Sequence, residues 1–289
     1  MNKSLPLGIA AGLAVGLSAD AQHSVWTPEQ GKIVITPSYV YQTFDEFWAG
    51  KDKVKLDGEL WQHIAAFSID YGITEDLTVD ATIGWVWSET DSSAPGAGRQ
   101  HANDNGLMDT TFGIRDRFID ENDFNRWWIP SLALRVGGII EGTYDKNFPF
   151  SAGDGASGGE VSLLGGKRLC SYSGFYGDVG YRYRDGRVPD DWFGSAGVYF
   201  SWKFLSATVG YRFTHGLSGN DIGDPKFVQR ITSGRDAFPL VREISQNFET
   251  SIGFTDPGGR FYQAFYAHTF DGRNTGERDI FGGAIGLTF

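Results

Sequence analysis

Charged side chains recur at alternating positions along several apolar stretches, as in Asp178, Arg182 and Arg184, and again in Asp109, Arg115 and Arg117. Facing one cavity, residues of both signs would do one of two things. They would form a charge ring that sets the solute preference of a pore, or an internal salt-bridge network that ties neighbouring strands together. Catalysis finds less support. A hydrolase needs a Ser or Thr beside a His, yet His63 and His268 fall within predicted strands and no Ser carries a G-x-S-x-G context. Gly-x-Gly patterns lie in strands with no helix following, which disfavours a nucleotide site. The five His are scattered, so no metal site and no cofactor is expected. Asp-rich loops at 185–191 and 221–224 read more simply as solvated turns than as calcium sites.

The elements that position these charges follow from period-2 alternation. Leu205, Ala207, Val209, Tyr211 and Phe213 alternate with Ser206, Thr208, Gly210, Arg212 and Thr214. Leu77 to Trp87 behaves likewise, with Asp80 on the polar row. Extended along the chain, the pattern predicts twelve strands near 32–45, 60–73, 77–90, 106–119, 128–142, 158–171, 174–184, 192–202, 204–216, 242–255, 260–271 and 279–289. Most are long enough to cross an outer membrane when tilted. Short polar connections, such as Thr74-Glu75-Asp76 and Asp256-Pro257-Gly258-Gly259, alternate with longer ones. That asymmetry is expected of a barrel with short periplasmic turns and longer external loops. The longest connection, 215–241, could fold inward, cover the mouth as a lid, or stand as a solvated loop.

Export is expected as well. Lys3 precedes an uncharged Leu5–Leu17 stretch and then Ala19-Asp20-Ala21, the pattern of a cleaved signal peptide. The expected organisation is a signal peptide at 1–21, a short periplasmic segment at 22–31 that is too short for a plug domain, and a barrel at 32–289. Beyond the signal peptide no run is long and apolar enough for a membrane helix, so any span must be a barrel strand. Composition agrees: 40 Gly, 22 Phe, 12 Tyr and 9 Trp accompany only 2 Met among 289 residues. A mean hydropathy of −0.27 is no objection, because half of each barrel strand faces a polar lumen. The net charge of −11 argues against a nucleic-acid partner, and the single Cys170 rules out an internal disulfide.

A soluble β-sandwich also alternates, but its outer rows are polar. Here whole strands carry an apolar row, with Trp61, Trp85, Trp87, Trp192 and Trp202 near strand ends, where interfacial aromatics belong. The chain ends with Ile285, Leu287 and Phe289 on one face, resembling the C-terminal signal by which barrel-assembly machinery recognises outer-membrane proteins. The fold class is therefore an all-β, transmembrane, antiparallel up-and-down barrel of twelve strands in the outer membrane, with both termini periplasmic and membrane lipid around it.

Placing the polar rows inward nominates Asp80, Asp109, Arg115, Arg135, Glu160, Arg168, Asp178, Arg182, Arg212 and Glu249 as lumen-lining, selectivity-determining residues. Gly84, Gly113, Gly137, Gly166, Gly180, Gly197, Gly210 and Gly282 share that row and read as open space for a passage. From about residue 105 onward the chain resembles the outer-membrane transporter family named for the MetA pathway of phenol degradation. The resemblance rests on Gly106-Leu107-Met108-Asp109-Thr110-Thr111-Phe112-Gly113, on Pro130 to Gly137, on Ser151-Ala152-Gly153-Asp154-Gly155, and on Val179 to Arg184. It implies passive passage of small, aromatic or apolar solutes. The alternatives are a structural or adhesive barrel with a closed lumen and, less favoured, a membrane-embedded lipid hydrolase. The sequence leaves the solute, the transport direction and the oligomeric state open.

Overall fold

The computed structural model describes residues 24–91, 102–124, 126–148 and 150–289. The signal peptide expected at 1–21 and most of the connection at 91–101 lie outside the described residues. The strands are β1 (Ile33–Ala49), β2 (Asp52–Gly72), β3 (Leu77–Thr90), β4 (Ala102–Leu107), β5 (Thr110–Ile119), β6 (Ser131–Ile140) and β7 (Gly158–Cys170). They continue as β8 (Ser173–Arg184), β9 (Asp191–Trp202), β10 (Leu205–Gly216), β11 (Ile244–Thr255), β12 (Phe261–Arg273) and β13 (Asp279–Thr288). Among the described residues one α-helix, α1 (Pro225–Thr232), sits in the connection between β10 and β11.

All pairings are antiparallel between neighbours, and β1 pairs with β13, so the sheet closes on itself. β4 and β5 both pair with β3, at Trp85↔Leu107 and Thr82↔Thr111, so they are two halves of one stave. Thirteen segments therefore make the expected twelve-stranded barrel. Closure satisfies the backbone groups internally, which hydrocarbon demands. No helix among the described residues is long and apolar enough to cross a membrane; here the strands cross instead.

Alternation sets the two faces. Along β6, Ser131, Ala133, Arg135 and Ile139 are buried while Leu134, Val136 and Ile140 are exposed. The exposed row continues around the wall through residues such as Ile83, Ile114, Leu163, Val179 and Ile252, an apolar outer surface. Trp85, Trp87, Trp192 and Trp202 also face outward.

Two elements differ from the expectation. β1 and β2 run well past 45 and start well before 60, meeting in a tight turn at Gly50, where φ is +63°. Their pairing shifts between Phe44↔Leu60 and Glu46↔Lys55, so β2 bulges and the hairpin tip stands beyond the main wall. The closing seam is also irregular. The register holds from Val34↔Thr288 and Ile35↔Leu287 to Ser38↔Ala284, but the ladder has a gap at Thr36 and at Pro37, which has no N–H to give.

Candidate functional site

The inward charges form a belt along the barrel wall. Asp80 on β3 takes Arg135 of β6 through contacts of 2.6, 3.0 and 3.2 Å. Arg135 also donates to Glu160 of β7. Glu160 pairs with Arg182 of β8 at 3.3 Å, and Arg182 lies 3.6 Å from Asp191 at the start of β9. Beside this chain, Asp70 of β2 meets Arg115 of β5 at 3.2 Å, and Arg212 of β10 meets Glu249 of β11 at 2.7 Å. Asp178 accepts the Ser195 hydroxyl. Of the residues nominated as lumen-lining, Asp80, Arg115, Arg135, Glu160, Asp178, Arg182, Arg212 and Glu249 take part in these contacts. Arg168 departs from the expectation. It lies at the β7 end near the short turns, 43% exposed, and pairs with Glu121 at 3.3 Å.

Asp70 and Asp191 complete the belt and are not among the sequence candidates. Asp70 lies on the same alternating row of β2 as the buried Gln62 and Ser68, so the pattern contained it. Asp191 falls in a segment whose Asp content points to a turn. Its neighbour Asp190 accepts from the Tyr181 hydroxyl and the Arg184 amide, and Asp221 is held by Arg273 and Asn274, so the Asp-rich loops are internally engaged. Among the described residues no group of three His, Cys, Asp or Glu could hold a metal.

The inward glycines do not leave open space. A Cβ at Gly113 would lie 2.7 Å from the Arg135 guanidinium, and one at Gly137 would lie 2.8 Å from its Nη1. Tyr176 covers Gly197 and Gly210, Phe193 covers Gly180, and Phe265 covers Gly282. Each glycine is a seat that lets a large neighbour lie flat along the wall.

The Gly-x-x-Asp-x-x-x-Gly segment has a similar explanation. Asp109, in the break between β4 and β5, accepts from the Gly142 amide, the Tyr144 hydroxyl and Arg184. Arg184 also holds Asp154 at 2.8 Å. A Cβ at Gly153 would lie 2.5 Å from Tyr144 Oη. Tyr144 stays protonated well above the usual phenol range, because burial and the adjacent Asp109 carboxylate both oppose its ionisation.

Above this wall the longer loops enclose a chamber of about 320 Å³. The 217–243 connection is folded over the mouth. Phe238, Pro239 and Val241 line the chamber together with Phe148 and Phe150 of the 141–157 loop. Phe150 packs edge-on against Phe44 at 4.9 Å. Asn147 joins the two loops by donating to Asp236 at 2.5 Å and accepting from the Ala237 amide. Asn274, at φ +52°, accepts from the Gly50 and Ile222 amides and donates to Asp221 and to the Arg242 carbonyl. Asp221 is held below the usual carboxylate range, chiefly by its hydrogen bond from Arg273.

At the opposite end the segment before β1 turns into the barrel. Val25 is 2% exposed and packs with Ala133 and Leu164, both on the inner wall. Trp26 meets Tyr199 edge-on at 5.3 Å. The Ser24 carbonyl accepts from Arg115 at 2.7 Å, and the Thr27 hydroxyl donates to the Glu75 carbonyl. Short as it is, this segment reaches the belt itself; its only signal in the sequence is the apolar pair Val25-Trp26.

His63 lies on the outward face, 2.6 Å from the Tyr39 hydroxyl. His268 contacts Asp279 at 3.0 Å. Among the described residues neither has a hydrogen bond to a Ser or Thr hydroxyl. Cys170 is exposed at the β7–β8 turn. Ile285 faces outward on β13, and Phe289 is 63% exposed, its backbone bonded to Ile33.

No family model matches the sequence, and no curated protein matches it. Among solved structures, the COG4313 outer membrane channel from Pseudomonas putida F1 matches with a TM-score of 0.71 at 13% identity, covering 92% of this chain and 98% of that one. The translocator domain of the autotransporter NalP from Neisseria meningitidis gives 0.49 at 14% identity, covering 91% and 89%. A KdgM porin gives 0.43 at 8% identity, covering 86% and 97%. At these identities the likeness is one of fold: the chain is a twelve-stranded β-barrel of the outer-membrane kind.

Proposed function

We propose that this protein is an outer-membrane channel for passive passage of small solutes. They would enter through the loop-lined chamber and be restricted at the periplasmic end by residues 24–27. The observation that carries the reading is the way the charged belt lies. Arg135 reaches Asp80 two staves away by crossing over Gly113 on the intervening β5, so the pair runs along the wall. A network built to close the lumen would reach across it. The belt is a lining, and the chamber above it is bounded by residues from most of the strands.

The wider reading follows the same lines. The termini are periplasmic, as the short turns on their side suggest, and the N-terminal leader is removed on export. Phe289, Leu287 and Ile285 serve insertion by the assembly machinery. Belt residues such as Asp80, Arg115, Arg135, Glu160 and Arg182 tune ion preference. The segments that resemble the phenol-degradation family support aromatic or apolar solutes. The P. putida protein of similar fold is itself an outer membrane channel, which agrees with the class.

The test is conductance of the refolded mature chain in planar bilayers, compared with a variant lacking residues 24–27. Small steady openings that grow in the deletion are expected. Ion preference should shift in Arg135→Ala and Arg182→Ala. A folded barrel that stays silent with and without residues 24–27 would be a closed structural barrel.

A further inference from the structure

The chamber's two walls differ in chemistry. One wall, on the inner faces of β13, β2 and β3, the break after β4, and the 141–157 loop, presents Ile280, Ile64, Val86, Met108, Phe148 and Phe150. Facing it across the ring, β8 and β10 present Arg182, Arg184 and Arg212. Lys146 and Arg278, from the external loops, complete the cations lining this space.

These five cations are not equally engaged. Arg184 is held at 3.0 and 2.8 Å by two carboxylates, Arg212 at 2.7 Å by Glu249, and Arg182 by both Glu160 and Asp191. Arg278 has one carboxylate contact, Nη2 to Glu243 at 3.3 Å, and its buried Nε has no hydrogen-bond partner among the described residues. The Glu243 oxygen it touches is shared with the Thr275 hydroxyl. Lys146 lies 3.6 Å from Asp236 and 3.9 Å from Glu141, beyond hydrogen-bond distance of either. Lys146 also lines a second cavity of about 400 Å³ among the external loops, so it stands where the outer cavity meets the chamber.

We infer that the chamber is a binding site for a small amphipathic anion. Its carboxylate would be taken by Arg278 and Lys146, and its apolar body would lie against the Phe148, Phe150 and Met108 wall. The inference rests on the channel reading and deepens it by naming the solute class. A cavity of this size suits a molecule of one ring with a short acid arm. The available donors supply charge-assisted bonds to a carboxylate, and an uncharged analogue would leave them unpaired.

The test is isothermal titration of the folded mature chain in detergent with phenylacetate, 2-phenylethanol and acetate. Phenylacetate is expected to bind at least about ten-fold more tightly than either analogue, the alcohol lacking the charge and acetate the apolar body. Arg278→Gln and Lys146→Gln should each weaken phenylacetate about ten-fold, and Arg278→Lys should retain most of the affinity. Lys146 is a half-exposed loop residue, so its variant tests the site even if Arg278→Gln fails to fold. Equal binding of phenylacetate and 2-phenylethanol, or unchanged affinity in Lys146→Gln, overturns the inference. A conducting channel that does not bind phenylacetate sinks this inference alone; phenylacetate binding by a barrel that never conducts sinks the channel reading alone.

Discussion

Replacing Arg135 by Met offers the sharpest measure of what the belt contributes. The guanidinium is 2% exposed and serves two carboxylates, Asp80 and Glu160, whose side chains are 10% and 1% exposed. Removing one member of a buried ion pair costs about 3–5 kcal/mol, because the remaining charge is left buried and uncompensated. Glu160 retains Arg182 at 3.3 Å, so the orphaned group is chiefly Asp80, and the expected loss is at the lower end, about 3 kcal/mol. Equilibrium urea unfolding in phospholipid vesicles, followed by tryptophan fluorescence, measures it. Adding Asp80→Asn removes the orphaned charge, so the Arg135→Met/Asp80→Asn double variant should recover at least half of the loss. The reasoning is refuted if Arg135→Met unfolds within about 1 kcal/mol of wild type, or if Asp80→Asn restores nothing.

Other expectations concern single sites. Because Asp221 has a depressed folded pKa, its anchoring of the 217–243 loop is fully present above about pH 4 and is lost as pH falls through the folded value. Pepsin should therefore cut that loop faster at pH 2 than at pH 4.5, and Asp221→Asn should be cut readily at both. Gly282→Ala drives a Cβ into the Phe265 ring and should destabilise the barrel by about 1–3 kcal/mol in urea unfolding, with Phe265→Leu recovering part of it. Deleting Phe289 should lower the yield of folded barrel in the outer-membrane fraction; an unchanged yield would remove this residue from the insertion signal.

Much of the barrel is legible in the sequence because lipid outside and polar lumen inside impose strict alternation, and the charges on the inward rows declare their face. Most of the predicted strands need only small shifts at their ends. The β1–β2 tip is not legible, because beyond the membrane neither face is lipid-facing and the charges at Lys51, Asp52, Lys53 and Lys55 read as a solvated connection. The partners within the belt are hidden for another reason. Alternation assigns a side to Asp80 and Arg135 but not the register between their strands, and their contact depends on the missing side chain of Gly113 between them. The same ignorance of register makes the inward glycines look like empty space. Arg168 keeps the inward row of β7, in register with Gly174, but lies close to the strand's end, where an inward row no longer means the lumen.

The seam between β1 and β13 bears on how such a molecule comes into being. Every other pairing joins staves that follow one another along the chain and can zip from its own turn, whereas this one joins the two ends of the sequence. Loop-closure entropy is therefore concentrated in a single event, which must wait for the rest of the sheet. Pro37 lies in a gap of that ladder and withholds a donor, so the last contact to form is also imperfectly laddered. A nascent barrel of this sequence would linger as an open, curled sheet with its two terminal edges exposed, and its slowest step would be their meeting.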